Sequence, residues 1–356
     1  MSDDRHLFHR DSLLGAGTRI LVALGLPDDD ARLVADSLVT ADSWGHASHG
    51  MLRLPWYAAR LRSGVMTAVT EPHTVVDLPA LCVLDGRHGI GQVLAGTACD
   101  DAVRRAESHG VGVVSVRNSN HFGTAAYWTR RMAESGCIGV LTTNSSPAMA
   151  PWGGKEKTIG ANPWSIAAPG GSHGAVVLDI SNTSVARGKI YSALERGEDI
   201  PAGWAIDADG RPTTDPQAAL DGLMLPIGEH KGYGISFMMD ILSGVLSGSS
   251  FGTDVVGPYV SDRPSGCGHL VIALKVDTMT GDEAFAARVD DLIDSTKSVA
   301  PAEGFSEVFY PGELERRAEE AAEEQGIALA AKTVRDLQEL AATCDVDVDF
   351  TPRSEG

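Results

Sequence analysis

Lysine is scarce in this chain: seven residues in 356, beside 22 arginines. With 29 basic against 48 acidic side chains the formal net charge is −19, and the sequence pI is about 4.9. That balance excludes a nucleic-acid partner, because neutralising phosphates needs a basic face and the arginines here are spread along the chain. An anionic membrane surface would repel it as well. Nor does any apolar run reach the roughly 18 to 20 residues of a membrane span. The start, MSDDRHLFHRDS, lacks the basic and then apolar layout of a signal peptide, so a cytoplasmic protein is expected. The five cysteines (Cys82, Cys99, Cys137, Cys267 and Cys344) are odd in number and form no CxxC, which excludes a disulfide framework and a cysteine zinc site. Each reads as a small buried apolar residue. Dinucleotide and phosphate fingerprints are missing too. There is no GxGxxG after a strand and no GxxxxGK[ST]. The nearest approach, His88-Gly89-Ile90-Gly91-Gln92, has the wrong spacing and no clear strand leading into it.

What is present is an ordinary globular composition, 43% hydrophobic and 22% charged, at a length that favours two domains over one core. DDDARLVADSLVTADS, ending at Ser43, has helical spacing behind an aspartate cluster suited to a helix N-terminus. After Gly45 and Gly50 interrupt it, the pattern resumes from Leu52 to Leu61. From about residue 72 short strands alternate with helices. Val93 to Gly110 reads as a glycine-closed helix, Val111 to Ser119 as the strand after it, and Leu270 to Val276 as a last strong strand. GYGISFMMDILSGVLSG reads as one long helix, and three more helices follow in the tail. The alternation predicts an α/β domain over residues 75–281 with a largely buried sheet, and a helical domain assembled from residues 1–74 and 282–356.

The densest polar constellation is His46-Ala47-Ser48-His49-Gly50, followed by Arg53 and Tyr57, which share a face if Leu52 to Leu61 is helical. A histidine exchanges an alcohol proton near neutral pH, a serine relays it, and an arginine grips a carboxylate through two parallel hydrogen bonds. The plain structural alternative is a helix-capping Ser48 and a surface Arg53. Asn118-Ser119-Asn120-His121-Phe122-Gly123 lies just past a strand end, where open α/β sheets place ligand sites. His230-Lys231-Gly232 opens an apolar helix whose backbone N–H groups would favour an anion. His46, His49 and His121 would serve a metal-dependent hydrolase, yet no HExxH or nearby carboxylate completes a ligand set, and no metal is expected.

Six separated motifs resemble the type 2 malate/L-lactate dehydrogenase family. They are Ser48-His49-Gly50 with Arg53, Pro55, Tyr57 and Gly64; Asn118 to Gly123; Ala150-Pro151-Trp152-Gly153-Gly154; Gly160-Ala161-Asn162-Pro163; His230 to Gly234; and Pro311-Gly312-Glu313. The resemblance implies a non-Rossmann NAD(P)-binding α/β domain with a large mixed sheet, over residues 75–281. The helical domain from both chain ends would stand on the substrate side. It also implies hydride transfer between NAD or NADP and a small anionic 2-hydroxy or 2-oxo acid, or a cyclic ketimine, in a homodimer.

In that scheme His49 is the proton donor with Ser48 as relay, His121 is its rival, and Arg53, with Tyr57 beside it, holds the substrate carboxylate. Arg187 and Gly188 belong to a substrate-side loop. Asp179, Ile180 and Ser181, His230 and Lys231, and Pro311, Gly312 and Glu313 hold the cofactor. Two departures stand out. Ala161 replaces a threonine common in relatives, which disfavours ketimines, and Ser181-Asn182-Thr183-Ser184 leaves the choice between NAD and NADP open.

Overall fold

The computed structural model describes residues 5–353, the side chains of Arg5, Arg187, Ser192 and Glu195 left aside. Strand β1 (Arg5–Phe8) leads into helices α1 (Arg10–Ala23) and α2 (Asp28–Ser43), two 3₁₀ turns (Ala47–His49 and Met51–Arg53) and helix α3 (Leu54–Ser63). Next come β2 (His73–Leu78), β3 (Leu81–Asp85), α4 (Gly91–His109), β4 (Val111–Ser119), α5 (Ala125–Glu134) and β5 (Cys137–Thr143). A more irregular stretch holds β6 (Pro147–Met149), β7 (Ile159–Gly160), β8 (Trp164–Ala168), β9 (Val176–Ile180), α6 (Arg187–Arg196), β10 (Ala205–Ile206), β11 (Pro212–Thr213), α7 (Pro216–Asp221), β12 (Leu223–Met224) and α8 (His230–Asp240). The chain closes with β13 (Cys267–Lys275), α9 (Val276–Met279), α10 (Asp282–Lys297), α11 (Glu313–Gln325), β14 (Ile327–Ala330) and α12 (Ala331–Thr343).

The main sheet has seven strands in the order β2-β3-β4-β13-β5-β8-β9. Only β3 and β4 run parallel; every other neighbouring pair is antiparallel, so the sheet is mixed. Helices α4 and α5 cover one face, where Cys82, Leu84, Val114, Val116, Leu141, Val271 and Ala273 meet Leu94, Ala98 and Trp128. Alternation along the strands turns Ser115 and Thr142 to the other face, where Thr142 bonds Ser243 at 2.8 Å. A second core joins the chain ends: Leu13, Ile20, Leu38, Met51, Leu54 and Tyr57 pack with Ile327, Leu329, Leu337 and Phe350.

Four expectations need correction. Strand β3 does lead into the His88 to Gly91 turn, making β3-α4-β4 a βαβ unit whose helix starts at Gly91 rather than Val93. The segment from Leu52 is a 3₁₀ turn before α3, with Arg53 at the helix N-cap. The long apolar helix ends at Asp240 and passes into a π-turn over Ile241–Val245. Finally, the sheet is less buried than its alternation predicts, because β2 is exposed along its whole length at the edge. Strands β1 and β14, which pair antiparallel, carry only four residues each and show no readable period.

Candidate active site

Helix α2 ends at Ser43, and Gly45, at φ +78°, reverses the chain into the 46–53 turn. Beneath this turn lies Asp42, whose buried carboxylate accepts the Met51 N–H at 2.7 Å. Gly50 is required there: a Cβ would stand 2.0 Å from Asp42 Oδ1. Burial pushes the Asp42 carboxyl up to about 7. Above it, the Ser48 hydroxyl meets His49 Nδ1 at 2.9 Å, and Arg53 Nε donates to the Ser48 carbonyl at 2.6 Å. The Arg53 guanidinium lies 4.3 Å from the centre of the Trp56 ring. Its two terminal nitrogens have no hydrogen-bond partner among the described residues, so the fork that recognises carboxylates stays available.

The 118–123 loop is built more tightly. Asn120, 1% exposed, donates from Nδ2 to the carbonyls of His88 and Gly89 at 3.0 and 2.7 Å, and accepts from Arg60 at 3.0 Å. Gly91 lets the start of α4 approach this loop, since a Cβ would lie 2.2 Å from the His121 carbonyl oxygen. The glycine-bearing β3-α4 turn therefore grips protein backbone where a nucleotide-binding turn would grip phosphate. Behind the loop, buried His269 bridges Ser119 and Thr143 at 2.7 and 2.9 Å and meets Phe122 edge-on at 4.8 Å.

The two segments bring His49 and His121 together as stacked rings, 5.6 Å between centroids and 23° between planes. Burial, then the positive charge of Arg53 and His46, pushes His49 down to about 3. His121 is held well below the ordinary range by burial, Arg53, His49 and His269. Both rings are therefore neutral near pH 7. They differ in how they are bonded. His121 Nδ1 accepts the Gly123 backbone N–H at 3.3 Å, so it carries no proton, and the Tyr57 hydroxyl 2.7 Å away must donate to it as well. The proton of His121 is thus on Nε2. Tyr57, 2% exposed, is spent on this bond. His46 turns the other way, to Glu315 at 3.3 Å, and among the described residues no cluster of three metal-binding side chains forms.

A cavity of about 480 Å³, within the range of small-molecule sites, adjoins the same turn through Trp44 and His46. It continues past Asp179, Val177, Gly312 and Arg316 to Gly136 and Asp282. Asp179, at the end of β9, accepts the Thr124 hydroxyl at 2.6 Å and the Ala126 N–H at 2.7 Å, capping α5; burial raises its carboxyl despite these bonds. Pro311 accepts from Val177 N at 3.2 Å, which lays the 310–313 loop along the β9 edge. A Cβ on Gly312 would come 3.0 Å from that nitrogen. Four glycines wall the cavity (Gly136, Gly170, Gly174 and Gly312), leaving backbone open to a phosphate or a flat ring.

The other expected cofactor residues stand differently. Ser181 bonds Thr183 at 3.0 Å, Ile180 pairs with Trp164 in the sheet, and Glu313 is locked between Lys297 and Arg317, each at 2.6 Å. His230 and Lys231 are exposed at the start of α8, with His230 against Trp152, and neither lines the cavity. Gly188 is exposed in α6, and the Arg187 side chain lies outside the described part. Asp42, Arg60 and His269 escaped the sequence reading; for Asp42 the available signal was a lone acid in an apolar helix turn.

Residues 8–338 match the family model described as malate/L-lactate dehydrogenase. The chain is 43% identical over 298 residues to L-sulfolactate dehydrogenase of Methanocaldococcus jannaschii, covering 84% of this chain and 86% of the relative. It is 36% identical to malate/(S)-sulfolactate dehydrogenase of Methanothermus fervidus, covering 93% and 96%. The solved sulfolactate dehydrogenase from M. jannaschii superposes with a TM-score of 0.91 at 38% identity, over 96% of this chain and 98% of that one. That agreement extends to the large mixed sheet and its helices. The chain therefore belongs to the malate/L-lactate dehydrogenase family and is an oxidoreductase that exchanges hydride between NAD or NADP and a small 2-hydroxy acid.

Proposed function

We propose that this chain reduces a short 2-oxo acid to a malate- or sulfolactate-like 2-hydroxy acid, with His49 as the proton donor. The observation that carries the reading is an Arg53 fork with free terminal nitrogens beside two stacked, neutral histidines of unequal freedom. Arg53 grips the 2-oxo acid carboxylate and orients the carbonyl toward the edges of the two rings. His121, with its proton fixed on Nε2, donates a hydrogen bond to the carbonyl oxygen. To become a cation it would have to reverse the Tyr57 hydroxyl and strip the Gly123 N–H of its acceptor. His49 has no such lock: its Nδ1 partner is the Ser48 hydroxyl, which can donate or accept and is exposed to solvent. A bound carboxylate offsets the charge of Arg53, which adds to burial in keeping His49 neutral, and His49 takes up a proton through Ser48 as substrate binds and gives it to the developing alkoxide.

The nicotinamide, when bound, supplies the hydride. The residues that fit it line the glycine-walled cavity: Asp179, Gly312 and the β9 edge on one side, Trp44 and His46 on the other. The helical unit of residues 1–74 and 282–356 then stands on the substrate side and residues 75–281 on the cofactor side. The exposed apolar residues Ile235, Phe237 and Met238 of α8, with Val245 and Leu246, support a homodimer through this face. Sedimentation at twice 37.4 kDa would agree, and at the monomer mass would not. Four of the five cysteines are buried thiols, which suits a reducing, cytoplasmic setting.

The deciding experiment is a panel of oxaloacetate, sulfopyruvate, pyruvate and cyclic imino acids, each assayed with NADH and NADPH. The reading expects oxaloacetate or sulfopyruvate to lead. It fails if only the cyclic imines are turned over.

A further inference from the structure

We infer that the charge lining of the cofactor cavity makes this chain select NADH over NADPH. The inference rests on the reading that the cavity along β9 holds the cofactor. Its charged walls are four carboxylates (Glu134, Asp179, Asp282 and Glu315) against two guanidinium groups (Arg130 and Arg316), a formal 2 − 4 = −2 with His46 left aside. Neither arginine is free. Arg130 is held by Glu134 at 3.0 Å and Glu319 at 2.6 Å, and lies 5.5 Å over the Trp44 ring. Arg316 spends Nη1 on Glu320 at 2.5 Å and Nη2 on the Tyr310 hydroxyl at 3.4 Å. Its Nε is buried and has no partner among the described residues.

The buried Arg316 Nε–H is left for the pyrophosphate that both cofactors share, while both guanidinium charges in the wall are already paired with carboxylates, which leaves no unpaired cation there for a third phosphate. A further cation, Lys275, stands beside Gly136, which lines the cavity. A Cβ placed on Gly136 would lie 3.1 Å from Lys275 Nζ and 3.8 Å from Asp282 Oδ1, and that ammonium donates to the Ser135 carbonyl at 3.3 Å. That ammonium thus shares its surroundings with a carboxylate. The 2′-phosphate of NADPH adds up to two negative charges to a cavity already at −2, whereas the ribose hydroxyls of NADH find carboxylate acceptors in the same walls. Asp282 has no salt-bridge partner within 4.0 Å among the described residues, so its charge adds to the repulsion of a third phosphate at that end.

The test is direct binding, followed by fluorescence of the reduced cofactor with no substrate present, at about 50 mM ionic strength, where charges are screened least. NADH should bind at least tenfold more tightly than NADPH, and the ratio should shrink as sodium chloride is raised. Asp282→Asn and Glu134→Gln together should narrow the preference several-fold by tightening NADPH relative to NADH, Glu134→Gln by leaving Arg130 only one carboxylate partner, Glu319. Equal affinities, or tighter NADPH, would overturn the selection. A wild-type preference for NADH that the double variant leaves untouched would overturn its assignment to these walls. If Gly312→Val, which closes the cavity, leaves both affinities unchanged, the cofactor binds elsewhere and the underlying reading falls with it.

Discussion

The two segments that meet at the stacked histidines are built to opposite standards. The 118–123 loop is tied down by Asn120, Arg60, Gly91 and the backbone of His88 and Gly89, and its histidine has one ring nitrogen fixed by two donors. The 46–53 turn is held by Asp42 beneath it, by Glu315 at its His46 end and by its own Arg53–Ser48 bond, and its histidine faces a rotatable hydroxyl. The lesson is that proton exchange needs a partner able to reverse its donor sense, while holding a carbonyl needs one that cannot. Rigidity and chemistry are here divided between neighbouring rings rather than combined in one.

The comparison breaks most readily at the histidines themselves. His49→Ala should lower kcat by roughly 10²- to 10⁴-fold with little change in KM, while His121→Gln, which keeps an N–H donor, should cost about tenfold. Steady-state rates with the best 2-oxo acid read both, and the reverse order would transfer the proton to His121. A finer cut is Tyr57→Phe. It frees His121 Nδ1 from its side-chain donor, so kcat should fall several-fold and the pH profile should gain a limb as the ring begins to titrate. A profile that keeps its wild-type shape would show that the Gly123 N–H alone fixes the ring.

The smallest effect is expected beneath the looser turn. Between the ordinary carboxylate range and about 7 the folded chain keeps a proton on Asp42 that the unfolded chain has released. Stability from this group is therefore greatest at low pH and is lost as pH rises through 7. Asp42→Asn, which can still accept the Met51 N–H, should flatten the dependence of Tm on pH between 5 and 8 by a few degrees. Thermal denaturation at the two pH values checks it; an unchanged slope would mean that the carboxyl stays charged.

What the sequence made legible, and what it did not, follows from the range of the interactions involved. Strand Val111–Ser119 matched its expected span because its alternation opens after Gly110 and is broken near its end by Asn118, at φ +53°. Helix α2 likewise starts at the three aspartates that favour its N-terminus. Ser48, His49, Arg53 and His121 could be named because their types are uncommon together and sit beside turn residues. Their mutual geometry could not, since the ring stack joins positions 72 residues apart (121 − 49). The roles of Glu313 and Tyr57 were also out of reach. A buried carboxylate locked between Lys297 and Arg317, and a phenol spent on one ring nitrogen, look in a motif like ligand-binding groups.

The position of β13 has a consequence for how the chain is made. It lies between β4 and β5, yet it follows them by well over a hundred residues. During synthesis both strands leave the ribosome with an inner edge unpaired, and they wait until residue 275 emerges before the gap can close. The helical unit waits longer still, because β1 needs β14. Nascent chains stalled before β13 should therefore depend on chaperones, and the last strand to enter the sheet acts as a checkpoint that an incomplete chain cannot pass.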